Sequence, residues 1–234
     1  MSISKGLKSL REKVDKQAAA SAGGGDRPKT KWLSLKDGES LKIKFLQELD
    51  PDSPHYDEER GLGFFASEIV DPNDYRKKCL DTLEDEGKSY GAEMHRRLQG
   101  TDGYKGGWKP KQRLYINVFL VDSGEVAILS QGLSGKSITP TLLEYATDEE
   151  TGNPGSITNK VFRIKRTGAE VSNTSYSLML LGEDKEPFDF SAVELYDLEQ
   201  VAVRRVPYAE QAEFFGGGHA DAEPIESDST AVEW

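Results

Sequence analysis

Cysteine is almost absent. Cys79 is the only one, so the chain forms no internal disulfide and suits a reducing compartment; a cytoplasmic location is expected. Long apolar runs are also missing. Nothing approaches the roughly 20 residues that a membrane-spanning helix needs, and the polar first residues lack the apolar core of a secretory signal, so no membrane association is expected. Histidine is scarce: His55, His95 and His219 are too dispersed to suggest a catalytic arrangement. No serine or cysteine sits in a recognisable nucleophile context. Acidic side chains are plentiful, yet nothing singles out a pair for general acid–base work. No catalytic residue and no cofactor is therefore assigned, and the chain is not read as an enzyme.

A phosphate-binding loop is suggested by Gln131–Ser137, which ends in Gly135-Lys136-Ser137. The pattern requires glycine five residues before Gly135, and that position is Ser130. No parallel α/β pattern accompanies it, so Lys136 reads as a cation at a helix start.

Basic residues are outnumbered, 30 against 41 acidic, for a net charge of −11. The imbalance is unevenly spread. Residues 1–28 carry six basic and three acidic side chains, a net of +3, and residues 216–234 carry five acids with no Lys or Arg, a net of −5. Removing that arm and that tail from the total leaves −9 on the remaining 187 residues. Any anion-binding face must be a local stripe, because salt screens exposed charges beyond about 8–10 Å.

What is present is alternation. In Lys111–Val121, KQRLYINVFLV, one strand face reads Gln112, Leu114, Ile116, Val118 and Leu120, a core face. The other reads Lys111, Arg113, Tyr115 and Asn117, with cations beside an aromatic ring, the minimal apparatus for holding a single nucleic-acid strand. The device recurs. Leu41, Ile43 and Phe45 alternate with Lys42 and Lys44, while Phe162 and Ile164 alternate with Arg163 and Lys165, followed by Arg166. If these strands lie together, they form one basic sheet face.

The organisation follows from these segments. Residues 2–20 suit a helix with an Ile3, Leu7, Leu10, Val14 stripe, followed by a Gly-rich linker, so 1–28 reads as a basic N-terminal arm. The ordered domain spans 29–215. Thr30–Leu35 and Ser40–Leu46 read as a hairpin across Asp37-Gly38, and Gly63–Val70 as a strand. Residues 73–99, within an insertion at about 71–100, read as helical. The strands Glu125–Ser130, Val161–Arg166 and Ser175–Leu181 and a helix over Gly135–Ala146 follow, and Asp197–Phe215 closes the domain. The expected class is mainly β: an oligonucleotide-binding (OB-fold) barrel with a helical insertion and flexible N- and C-terminal tails. Phe45, Phe119 and Phe162 are assigned to its core.

The element order resembles that of the single-stranded DNA-binding proteins of tailed phages, the group typified by the T-even helix-destabilising protein. The likeness covers about residues 30–181. It is carried by Trp32 through the KIKFL segment, the basic run into Lys111–Val118, and the later FRIK segment. The resemblance implies an oligonucleotide-binding barrel, a basic arm for self-association on DNA, and an acidic tail that recruits replication and recombination proteins. Members of the group often hold zinc through His-x12-Cys-x9-Cys-x2-Cys. Laid on this chain at Cys79, that spacing falls on Ala66, Cys79, Ser89 and Ala92. Too few ligands remain for a structural zinc site, so no metal is expected. Tyr75, Leu80, Leu83, Tyr90 and Met94 are expected to hold the insertion instead.

The leading expectation is a sequence-tolerant binder of single-stranded DNA. Its contact strip comprises Tyr104, Lys105, Trp108, Lys109, Lys111, Arg113 and Tyr115, with Lys165, Arg166 and Tyr176 beside it and Tyr75 and Arg76 as a wall. Asp221, Glu223, Glu226, Asp228, Glu233 and Trp234 form the partner-binding tail. An acidic protein-interaction adaptor is the second reading, and a hydrolase the third.

Overall fold

The computed structural model describes residues 30–148, 150–170, 173–183 and 188–216. The expectations for the 1–28 arm, and for the tail residues Asp221, Glu223, Glu226, Asp228, Glu233 and Trp234, lie outside the described residues. In chain order the elements are β1 (Ser40–Phe45), β2 (Phe64–Val70), β3 (Lys78–Leu80), α1 (Leu83–Glu86), α2 (Tyr90–Leu98), β4 (Lys111–Leu120), β5 (Glu125–Gly132), α3 (Thr139–Tyr145), β6 (Lys160–Thr167), β7 (Ser175–Glu183), α4 (Leu198–Val201) and α5 (Tyr208–Phe214). The fold is mainly β. Seven strands form one open sheet in the order β3-β2-β4-β1-β6-β7, with β5 added on β4, and all the ladders are antiparallel.

The strand β4 organises the sheet. One of its edges pairs with β5 from Arg113 to Leu120. The other is shared, with Lys111–Tyr115 pairing to β2 and Val118–Leu120 to β1. The apolar residues that alternate along β1, β4 and β6 meet beneath the sheet with those of β5, β7 and α3. Ile43, Phe45, Leu114, Ile116, Val118, Leu129, Leu142, Phe162 and Ile164 are all wholly buried there.

One sequence expectation fails at the edge of β5. Thr30–Leu35 does not pair with β1. Instead the Leu33 N–H donates to the Ile128 carbonyl at 2.9 Å and the Ile128 N–H to the Lys31 carbonyl at 2.8 Å, which lays Lys31–Leu33 along β5. With that edge occupied, no ladder joins β5 to β7 among the described residues, and the sheet is open. β7 reaches the chain beyond β5 through the Tyr176 N–H, which donates to the Lys136 carbonyl at 2.8 Å.

The insertion is less helical than expected. Lys78–Leu80 is a strand paired with β2, because Cys79 is buried while its neighbours face the other side. Helix α2 is well terminated. The Ser89 side chain caps it by accepting from the Ala92 N–H, and His95, Arg96 and Arg97 occupy its last turn. Gly91 lets this helix touch the sheet: a Cβ there would lie 2.8 Å from both an Ile69 side-chain carbon and the Trp108 carbonyl oxygen. The insertion packs through Ile69, Cys79, Met94, Trp108, Val206 and Phe215, with Tyr90 against them. Tyr90 and Met94 take the expected role. Tyr75 and Leu83 are instead 79% and 53% exposed, and Leu80 joins a separate cluster with Tyr115 and Leu198.

Candidate nucleic-acid interface

Partners across an antiparallel ladder share a sheet face. By register, Glu68 lies opposite Lys111, Ala66 opposite Arg113 and Phe64 opposite Tyr115 on β2 and β4. Phe119 lies opposite Lys44, and Lys42 opposite Arg163. The cationic positions of β1, β4 and β6 therefore do occupy one continuous face of one sheet. The chain itself covers the middle of that face.

The covering segment begins at Phe188, whose ring meets Phe119 with centroids 4.8 Å apart and lies 5.1 Å from the Lys44 ammonium. It continues through Tyr196, held to Asn117, and then packs Leu198, Ala202 and Val203 on Tyr115, Ala66 and Ile128. It leaves over β3, where the Leu80 N–H donates to the Arg204 carbonyl at 2.8 Å. Phe119 is thus half-buried under Phe188 on the outer face, outside the main core to which the sequence assigned it.

At the β2–β3 end of the face a cationic and aromatic group remains open. Trp32 is 39% exposed. Its ring meets Tyr115 edge-on, with centroids 6.2 Å apart and planes at 75°. The Lys78 ammonium lies 5.7 Å from the Trp32 centroid and 5.4 Å from that of Tyr115, and it donates to the Tyr115 hydroxyl at 3.2 Å. Arg113 donates through Nε to the Ser130 hydroxyl at 3.0 Å, and Lys111 stands exposed at the strand end.

One buried carboxylate, Glu68, lies among these cations, 3.4 Å from Lys78 Nζ and 4.0 Å from Arg113 Nε. Among the described residues its Oε2 has no hydrogen-bond partner. Lys78 and Arg113 flank this one carboxylate and Lys111 lies opposite it across the ladder, so cations outnumber the acid beside a partly exposed indole. Burial, reinforced by the Glu68 charge, pushes the Tyr115 phenol above its ordinary range.

Several residues expected in the contact strip have other positions. Tyr115 is fully buried and Trp108 is 5% exposed, so neither offers a ring to a base. Tyr115 lies under the covering segment, and Trp108 packs against Tyr90 and Phe215. The Tyr104 hydroxyl lies 2.9 Å from His95 Nδ1 and accepts the Trp108 N–H at 3.3 Å, which holds the turn before β4. Arg166 donates to the Leu35, Gly168 and Ala169 carbonyls and to the Thr174 hydroxyl, fixing the β6–β7 loop. Tyr176 packs on the core side of β7. Lys105 and Lys109 are exposed on the connector into β4, Tyr75 and Arg76 are exposed on the turn before β3, and Lys165 is exposed on β6.

Trp32 and Lys78 were not placed in the strip by sequence. Trp32 lies in a segment misread as a hairpin arm, and Lys78 in a strand misread as helix.

The residues do not fit the zinc tetrad that the resemblance implies. Ala66 packs beneath Leu198, the Ser89 hydroxyl caps α2, and among the described residues no group of three His, Cys, Asp or Glu is placed to hold a metal ion. Burial, with the charges of Asp81 and Glu68, pushes the Cys79 thiol up to about 12. Among the described residues no helix is long and apolar enough to cross a membrane. No family model, curated protein or solved structure matches this chain.

Proposed function

We propose that this chain binds single-stranded DNA with little sequence preference, as an oligonucleotide-binding domain in which β1, β4, β5, β6 and β7 serve as strands one to five. One observation carries the reading: the Trp32 ring is fixed by backbone bonds to β5, half-exposed, with Lys78, Arg113 and Lys111 grouped beside it. A ring for base stacking next to cations for phosphates is the general device of single-strand binders. The strand order supports the fold. The first strand pairs with the second and fourth, hairpins join the second to the third and the fourth to the fifth, and a helix stands between the third and fourth. Such barrels are partly open, and the face of strands two and three carries the oligonucleotide. Here that face is β4 and β5.

The protein would protect and organise single strands during phage DNA replication and recombination, in the host cytoplasm. The basic arm over residues 1–28 would link neighbouring copies on DNA. The acids Asp221, Glu223, Glu226, Asp228 and Glu233, with the terminal Trp234, would recruit replication proteins. A fluorescence titration with oligo-dT tests the binding itself. Tryptophan quenching that weakens with salt, at a slope of about 0.7 per phosphate neutralised, is expected. No binding at low salt overturns the proposal and leaves the acidic adaptor.

A further inference from the structure

On the far part of the same face, Lys42 of β1 and Arg163 of β6 are direct partners across the ladder. Like charges placed opposite each other destabilise a strand pair. Lys165 follows on β6, facing Ser40 on one side and Ser177 on the other, while Arg163 also faces Met179, itself 48% exposed. No acid on a neighbouring strand lies opposite any of the three. The nearest carboxylate along β1, that of Glu39, turns away to accept the Lys36 N–H at 2.7 Å. Among the described residues, none of Lys42, Arg163 and Lys165 forms an ion pair with a carboxylate. Three cations on two adjacent strands, without an ion-pair partner among the described residues, form a site that an anion relieves.

The anion must reach from the Trp32 group. Along β4 from Arg113 to Phe119, and then from the facing Lys44 to Lys42, the path covers eight residue positions, or roughly 26 Å at about 3.3 Å per residue. The covering segment through Phe188 and Tyr196 lies between. A flexible polyanion spans this gap and an isolated phosphate does not.

We propose that Lys42, Arg163 and Lys165 form a second phosphate-binding patch, so that a bound single strand runs from the Trp32 group past the covering segment to β6. This rests on the single-strand reading and adds its path. It also sets a minimum length, because an oligonucleotide too short to span the gap engages one patch alone.

The test uses the full chain and oligo-dT of about 4 and about 16 nucleotides, the bounds for one such domain. The variant carries Lys42→Gln, Arg163→Gln and Lys165→Gln, and Lys165→Glu alone serves as a second. On the long strand the triple variant should lose about 2 from the log–log salt slope, at about 0.7 per cation, and at least about tenfold in low-salt affinity. Its binding of the short strand and its Trp32 quenching should not change. Its melting temperature should hold or rise, since a repulsive pair is removed. The Glu variant should weaken the long strand more than the short one. Unchanged long-strand affinity with intact quenching overturns the second patch and leaves the Trp32 site. Equal losses on both lengths also overturn it. If wild-type protein binds neither strand, the single-strand reading itself fails.

Discussion

Asn117 and Tyr196 hold each other by two hydrogen bonds, Asn117 Nδ2 to the Tyr196 carbonyl at 3.0 Å and the Tyr196 N–H to Asn117 Oδ1 at 3.2 Å. The same amide donates to Gln47 Oε1 at 3.1 Å, and Asn117 has no exposed surface. A polar residue in the middle of β4 thereby pins the returning chain to the sheet. This bond pair explains why the outer face of β4 is open at Arg113 and closed at Asn117.

Replacing Asn117 with Ala should therefore cost about 2–4 kcal/mol. The Tyr196 backbone groups lose their partner, and a buried group left unpaired costs about 1–3 kcal/mol. Urea unfolding should show a lower midpoint, and amide exchange should rise selectively between Phe188 and Val203. Uniform exchange along the chain would mean that the pair is not the anchor.

Trp32 makes the sharpest functional prediction. Trp108 is buried among Tyr90 and Phe215, so in a Trp234→Ala background, which removes the remaining tryptophan, quenching by DNA at this face should come from Trp32. Trp32→Ala should weaken oligo-dT binding by about 1–3 kcal/mol and abolish that quenching. The ring is 39% exposed, so stability should fall little. Wild-type affinity in this variant would remove Trp32 from the site.

Lys111 and Arg113 should separate binding from stability. Lys111 is solvent-exposed, and Lys111→Ala should lower the salt slope by about 0.7 without moving the melting temperature. Arg113 also bonds Ser130 and lies 4.0 Å from the buried Glu68 carboxylate. Arg113→Ala should lower the slope similarly and destabilise the fold as well, because it strips a partner from a buried charge. Equal thermal stability in both variants would show that Glu68 is satisfied by Lys78 alone.

Where alternation was long, the sequence was legible. The strands β1, β4, β6 and β7 lie within a residue or two of their expected bounds, and the basic faces of the first three are contiguous as their spacing suggested. Local alternation does not say what will later lie on the outer face. Tyr115 and Asn117 sit at outward positions and are buried by residues some 80 positions further on, Tyr196 and Leu198. Arg166 and Tyr176 are placed by a different cause: Arg166 is taken up by nearby carbonyls, a contact set by loop geometry, and Tyr176, its ladder partner, packs on the core side. The three-residue strand β3 has no periodicity to read, and it carries Lys78 into the site.

The last prediction concerns alkaline pH. Burial pushes the Cys79 thiol from an ordinary value of 9.0 up to about 12. The folded protein thus keeps a proton that the unfolded chain releases above pH 9.0. Stability from the neutral thiol is complete below that value and is lost progressively as pH rises toward about 12. Tyr208, raised from 10.0 to about 12, and Tyr115, raised above its ordinary 10.0, add the same sense of change from pH 10.0 upward. Wild-type melting temperature should therefore begin to fall near pH 9.0 and steepen beyond 10.0. Cys79→Ala removes the first group and leaves the tyrosines, at the cost of a small void beside Ile69 and Met94. Its melting temperature should be lower at neutral pH yet flat until about pH 10. A thiol reagent should leave native Cys79 unmodified at pH 9.0 and modify it on unfolding. Parallel pH profiles for the two proteins between pH 9.0 and 10.0 would show that the buried thiol contributes nothing to alkaline unfolding.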